Sequence, residues 1–352
     1  MLLREKYVPD SIDEFGDKYT YLKNIKNIPH TIIYGKNGCG KSTLIQLILK
    51  NRYGSNKIKL SKDLKEFKMN NNKIIELSVF YSSIHYIINP CLYGLYDKVI
   101  LLNFLKDISS NTDIKKFINI KNATKIIIIK NAENLSKNAQ NALRSIMERN
   151  NNDFKLIFQC SSLNKIIEPL ISRCMLVKVD NDIEKFNNIL KNISIKENIN
   201  ITDEQISNII EHSHFNLKKS INYLDYYKTT NSKDNIHLYL DDSYICINKL
   251  TKYIYSKNLN NIIEIREIIY NLFISFNKPL NILNNIYLII EKDINNLSNF
   301  DNNFKNYILL EISEYIVELS SMLSVANKPI IYFENFIYFI FQLFNKYNIN
   351  MK

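Results

Sequence analysis

Gly35-Lys36-Asn37-Gly38-Cys39-Gly40-Lys41-Ser42 is the stretch that decides the fold of this chain. Glycine is scarce: there are six in 352 residues, and three of them fall within these eight positions. The spacing is G-x-x-x-x-G-K-[ST]. In that pattern loop amides wrap phosphate oxygens, the lysine reaches the outer phosphates and the hydroxyl holds magnesium. Upstream, His30-Thr31-Ile32-Ile33-Tyr34 reads as a short buried strand with two β-branched isoleucines. Downstream, residues 41–50 read as a helix, apolar at Leu44, Ile45, Leu47, Ile48 and Leu49. Strand, glycine loop and helix in that order aim the positive end of the helix at the phosphates. The sequence thus predicts a nucleotide pocket made by Gly35, Lys36, Asn37, Gly38, Cys39, Gly40, Lys41, Ser42 and Thr43, with Ser42 touching magnesium through the nucleotide.

The length predicts two or three domains at roughly 100–200 residues each. With 46% hydrophobic and 23% charged residues, the chain is neither a disordered tail nor a disulfide-stapled mini-protein. No apolar run approaches the ~18–20 residues of a membrane span. The opening Met1-Leu2-Leu3-Arg4-Glu5-Lys6-Tyr7 carries charges where a secretion signal needs an apolar core. The expectation is an intracellular chain that is not secreted and has no membrane partner. The five cysteines are scattered and form no C-x-x-C pair, which argues for reduced thiols over zinc or redox chemistry. A net charge of +11 favours a polyanionic partner. Part of that charge reflects composition, because Asn, Ile, Lys and Tyr are over-used and about one residue in seven is Asn, the bias of an AT-rich genome.

A second strand, Lys125-Ile126-Ile127-Ile128-Ile129, reads as central and covered on both faces. It is followed by Lys130-Asn131-Ala132-Glu133-Asn134. An ATP-hydrolysing site needs an aspartate at the first of these positions to hold metal and a glutamate at the second to orient water. Lys130 supplies charge but binds no Mg²⁺, and Asn131 is no base. The pocket is therefore expected to bind ATP or ADP, with magnesium weak or absent, and to hydrolyse slowly or not at all. Glu133 is a weak substitute candidate, since it sits three positions on and starts the next helix in this reading.

Next come Leu135-Ser136-Lys137-Asn138-Ala139-Gln140-Asn141-Ala142-Leu143-Arg144-Ser145-Ile146-Met147-Glu148, a strand at Phe154-Lys155-Leu156-Ile157-Phe158-Gln159-Cys160, and Lys165-Ile166-Ile167-Glu168-Pro169-Leu170-Ile171-Ser172-Arg173-Cys174. Ser136 is placed to cap a helix with Ala139, Leu143 and Ile146 on one stripe. These segments resemble the small subunits of replication factor C, the AAA+ clamp loader of eukaryotes, archaea and large DNA viruses. The opening Leu3-Arg4-Glu5-Lys6-Tyr7-Val8-Pro9 is similar to the family's W-x-E-K-Y-R-P. Lys73 to Ser78, His85 and Asn89-Pro90 resemble the branch with a degenerate second acidic motif, the eukaryotic Rfc3/Rfc5 type.

The resemblance implies an α/β AAA+ P-loop module with a parallel sheet and flanking helices over 1–180, a helical lid over 181–230 and an all-α collar over 236–352. It implies that Arg173 is an arginine finger given in trans to a neighbouring subunit. Lys218 falls where the lid carries a phosphate-sensing arginine, and Ser161 where a sensor asparagine stands. Tyr7, Val8 and Pro9 would line the adenine side. The implied partners are the other subunits of a hetero-pentamer, a sliding clamp and primer-template DNA, in the nucleus or a viral replication compartment. Lys98, Lys137 and Arg144 are the candidates for contact with DNA phosphates, which is salt-dependent and blind to sequence. Two rival readings share the motifs: an active ATPase subunit using an atypical acidic residue such as Glu133, and a scaffold that binds no nucleotide.

Elsewhere, Thr202 with Gln205 predicts a capping box. His212 and His214 are two apart and do not share a helix face, so no metal site is assigned to them. A polar linker is predicted at 229–235, a helix over 311–326, and another over 330–347 with Pro329 in its first turn. The last is apolar nearly all round, which predicts cover on most sides.

Overall fold

A computed structural model describes residues 2–25, 27–68, 74–110, 125–149, 154–180, 182–213, 215–230, 242–256, 262–275, 279–297, 301–323, 326 and 328–347. The chain divides into two compact units, Met1–Asp234 and Asn235–Lys352.

The first unit opens with two single turns, α1 (Leu3–Lys6) and α2 (Ile12–Phe15). Its sheet has seven strands: β1 (Thr31–Tyr34), β2 (Ser61–Lys68), β3 (Ile74–Tyr81), β4 (His85–Ile88), β5 (Lys125–Lys130), β6 (Phe154–Cys160) and β7 (Met175–Lys178). Their order is β2-β3-β4-β5-β6-β1-β7. From β4 to β7 every neighbouring pair is parallel. The antiparallel hairpin β2–β3 extends one edge.

The isoleucine run explains the centre of the sheet. Ile127 and Ile129 pack with Phe104, Leu143 and Phe158 on one face. Ile126 and Ile128 pack with Ile33, Leu44 and Leu49 on the other. A strand buried on both faces must read as continuous apolar sequence. The first face is covered by α4 (Asp97–Ser110) and α5 (Lys137–Arg149), the second by α3 (Lys41–Tyr53). Ser136 caps α5 as predicted, accepting from the Ala139 amide at 3.1 Å.

After the short turn α6 (Glu168–Ile171) and β7, three helices form the lid: α7 (Ile183–Lys196), α8 (Asp203–His212) and α9 (Leu217–Thr230). The capping box is present, with the Gln205 amide on Thr202 Oγ1 at 3.3 Å and the Thr202 amide on Gln205 Oε1 at 3.0 Å. The lid core holds Phe186, Leu190, Ile206, Ile210 and Leu224, and Leu3 is buried in it from the start of the chain. The Leu3 amide also donates to Asp225 Oδ2 at 3.3 Å. By packing, α1 is part of the lid.

The described helices of the second unit are α10 (Asp242–Ser256), α11 (Ile262–Ile274), α12 (Pro279–Asn296), α13 (Asn302–Leu323) and α14 (Pro329–Lys346). One expectation is corrected. The helix read from 311 begins upstream, at Asn302, because Ile308 continues the buried row Ile312, Leu319 and Leu323 in that direction; residues 324 and 325, at the other end of that reading, lie outside the described residues. The helix α14 starts on Pro329 and buries Phe333, Phe336, Ile340 and Phe344, the cover on most sides that its apolar sequence predicts, with Ile331 and Tyr338 about half exposed. The greater part of the predicted linker, and His214, lie outside the described residues.

Candidate functional site

The glycine loop lies between β1 and α3, at the carboxyl ends of parallel strands, where open α/β sheets take ligands. Gly38 has φ +81°, and a Cβ there would sit 1.8 Å from Asn216 Oδ1. Gly40 has φ +99°, and its Cβ would meet the Phe15 ring at 2.9 Å. Both positions need the left-handed backbone and the missing side chain. Lys41 is 6% exposed. Its ammonium is folded into the loop, donating to the Gly35 carbonyl at 2.5 Å and the Lys36 carbonyl at 2.9 Å. The amide end of α3 faces the same loop, giving fixed partial positive charge. Ser42 donates to Gln159 Oε1 at 3.3 Å. Thr43 lies on the first turn of α3, and Cys39 is buried, its thiol pushed up by burial. Lys36 and Asn37 complete the loop.

Lys130 ends β5 beside Gln159 of β6. The chain then turns through Asn131 at φ +52° into a tight turn, Ala132–Asn134. The Asn131 carbonyl accepts from the Cys91 thiol at 3.0 Å. That turn brings Glu133 back to β6, where its Oε1 accepts from Ser161 Oγ at 2.8 Å. The other oxygen, Oε2, is buried with no hydrogen-bond partner. The Cys160 thiol is raised to about 12 by burial, with Glu133 raising it further and Lys41 lowering it.

On the lid side, Asn216 meets the loop at Gly38. Asn216 begins α9, accepting from the Lys219 amide at 3.2 Å, so the amide end of α9 is at the loop. Lys218 is exposed on its first turn. Tyr7 packs against the lid core, and its hydroxyl donates to Glu197 at 2.5 Å. Glu197 also receives Lys6 and Lys228, each at 2.6 Å. These contacts hold its carboxyl down to about 2, the Lys228 hydrogen bond first. Val8 is 44% exposed and Pro9 half-buried. Just beyond, Asp10 pairs with Lys50 of α3 at 2.7 Å, so residues 7–10 bridge the lid to the loop helix.

Away from the loop, Arg173 is exposed and pairs with Glu148 of α5 at 2.7 Å. Lys98 and Lys137 are brought near one another. Asp97, at the start of α4, accepts from the Ser136 amide at 2.6 Å and the Ser136 hydroxyl at 2.9 Å. Lys98 and Lys137 are the next residues on each side of that joint, and both are exposed. Arg144 is half-buried on α5, its Nε without a hydrogen-bond partner.

Sequence reasoning missed Gln159, Asn216, Phe15 and Glu197. Asn216 had a signal, since Asn before Leu217-Lys218-Lys219 is a helix cap. The others are defined only by contacts distant in sequence. The loop fits a nucleotide: it offers amides of two helix ends, a buried ammonium and the Ser42 hydroxyl. The fit to magnesium is narrower: Ser42 is on the loop, and Glu133 is the carboxylate that the hydrogen bonds among the described residues place at the neighbouring strand end.

A family model described as DNA polymerase III, delta subunit, matches residues 20–182. A probable replication factor C subunit 3 of Dictyostelium discoideum is 30% identical over 361 residues, 99% of this chain and 100% of its own. Replication factor C subunit 5 of Saccharomyces cerevisiae is 29% identical over 351 residues, 95% of this chain and 96% of its own. A solved structure of Thermotoga maritima RuvB overlaps 69% of the chain at a TM-score of 0.45 and 14% identity, too slight a likeness to carry weight. Full-length similarity at that level, on an AAA+ sheet-and-lid fold followed by a helical unit, means that the chain belongs to the replication factor C family, as a small clamp-loader subunit of the subunit 3 and 5 type.

Proposed function

We propose that this subunit holds ATP or ADP in its glycine loop, turns it over poorly, and gives Arg173 to the nucleotide of a neighbouring subunit. The complex is a hetero-pentamer that loads a sliding clamp onto primer-template DNA inside the cell, where that DNA is replicated. The observation that carries this reading is the contrast within one pocket. The loop is complete around Lys41, while Lys130 and Asn131 occupy the positions of the metal-holding and water-orienting carboxylates.

The chemistry of the residues supports each part. Magnesium, when bound with the nucleotide, draws charge off the phosphates. Lys41 and the amide ends of α3 and α9 bind and orient the phosphates. Asn131 does not take a proton from water, so the local step is slow. Arg173 has a planar fork suited to phosphate oxygens, and such a finger is worth ~10³–10⁵ in rate. Lys98 and Lys137, set on either side of the Asp97–Ser136 joint at two helix amide ends, suit a DNA phosphate track.

The test is made on the purified complex with its neighbouring subunits. Lys41→Ala should abolish nucleotide binding at this subunit and leave most of the complex's turnover. Arg173→Ala should leave binding here intact and remove turnover at the neighbour. Turnover lost with Lys41→Ala and untouched by Arg173→Ala would favour an active ATPase subunit instead. Intact assembly without nucleotide binding would favour a scaffold.

A further inference from the structure

We infer that Glu133 is the carboxylate that meets the magnesium ion of the nucleotide in this pocket, from a position three residues beyond the one Lys130 occupies. The inference rests on the reading that the glycine loop takes a nucleotide.

Four observations converge. The turn after β5, set by Asn131 in the left-handed region, swings Glu133 to the end of β6. Ser161 fixes one carboxylate oxygen at 2.8 Å, which sets the orientation of the other. That other oxygen is buried with no donor. A buried anionic oxygen is costly without a partner, and a hard cation is the partner that suits it in a phosphate pocket. Finally, the groups that would serve metal and phosphates are anchored at one strand end. Ser42 is anchored on Gln159 and Glu133 on Ser161, two residues apart at the same strand end.

Lys41 is the competing partner for the free oxygen, but its ammonium already serves two loop carbonyls. Lys130 carries the wrong charge for metal. Mg²⁺ prefers few protein oxygens together with phosphates and water. Ser42 Oγ and one Glu133 oxygen meet that need. Hydrolysis stays slow, because both Glu133 oxygens are engaged and Asn131 offers no base.

The experiment measures affinity rather than turnover. A fluorescent ATP analogue is titrated into the assembled complex in EDTA and again in Mg²⁺, with the neighbouring loops disabled by their own lysine substitutions. The intact subunit should bind at least about tenfold tighter with Mg²⁺. Glu133→Gln keeps the shape and the Ser161 contact, and should cut that gain to less than about twofold without weakening affinity in EDTA. Ser161→Ala leaves the carboxylate but frees it, and should reduce the gain several-fold. A full Mg²⁺ gain in either variant overturns the inference. So does an equal change with and without metal, which would put Glu133 on Lys41. Binding by the intact subunit with no Mg²⁺ gain overturns it while sparing the nucleotide reading. Failure of the intact subunit to bind in either condition overturns the nucleotide reading itself, and the inference with it.

Discussion

Glu148 and Arg173 form an ion pair of 2.7 Å between the last turn of α5 and the segment before β7. The same guanidinium donates to the Pro169 carbonyl at 2.8 Å. Its own chain therefore aims Arg173 without burying it: the two side chains are 40% and 46% exposed. Exposed pairs contribute roughly 0–1 kcal/mol, so the guanidinium can leave this pair at small cost, as the proposed role in trans requires.

If Arg173 acts on a neighbour's nucleotide as proposed, Arg173→Ala is expected to lower turnover at that interface by ~10³ or more. Glu148→Gln should change it by less than about fivefold, the equivalent of ~1 kcal/mol. Steady-state turnover of complexes with a single active interface checks both. Equal losses in the two variants would mean that the pair is structural.

Gly38→Ala is expected to weaken nucleotide binding by about tenfold or more, since it combines left-handed backbone with a clash on Asn216. Gly54→Ala is the matched control. Gly54 has φ +84° and open space around its missing side chain, so it reports backbone strain alone. Its variant should lose stability yet keep nucleotide affinity in the same titration.

Glu197→Gln is expected to loosen the lid and lower the melting temperature by a few degrees at pH 7. The carboxyl is held down to about 2 by Lys228, Lys6 and Tyr7. A depressed carboxyl stabilises the fold above its ordinary range and loses that contribution as pH falls through about 2. The gap between variant and native protein should be full above pH ~5 and close as the pH approaches 2. A gap independent of pH would show that charge is not the cause.

His85 should make the first unit acid-sensitive. It is 1% exposed, with Nδ1 and Ser82 Oγ 2.6 Å apart and Nε2 lacking a partner. Burial lowers its pKa from 6.5 to about 4. The folded state thus favours neutral imidazole. Its contribution is whole above pH ~6.5 and falls away toward pH 4, by about 3 kcal/mol at most. Urea midpoints across that range should decline, and His85→Leu should flatten the decline. An equal slope in the variant would assign the effect to other groups.

Much of the local structure was readable from sequence. The glycine loop, the Ser136 cap, the Thr202–Gln205 box and Pro329 in the first turn of α14 are all made by residues within a few positions of one another. The isoleucines of β5 announced a strand covered on both faces. Less was legible where a face is shared with solvent. In the β2–β3 hairpin, exposed Leu64, Ile74 and Phe80 blur the alternation that marks a half-buried strand. The upstream half of α13 was missed because its stripe is interrupted by Lys305, buried through a bond from its ammonium to the Asn295 carbonyl.

The sequence by itself determined the glycine loop, the Lys130-Asn131 pair that follows β5 and the order of sheet, lid and helical unit. Each of these depends on residue type at fixed short spacing, and short spacing is what backbone geometry converts directly into structure. Only the tertiary structure decided that Asn216 closes on Gly38, that Gln159 takes Ser42, that Leu3 and Tyr7 belong to the lid, and that Glu133 is turned back onto Ser161. Those pairs lie 28 to 222 positions apart or come from different elements. Nothing in their spacing announces them, and they meet because the buried faces of the strands and helices admit one packing.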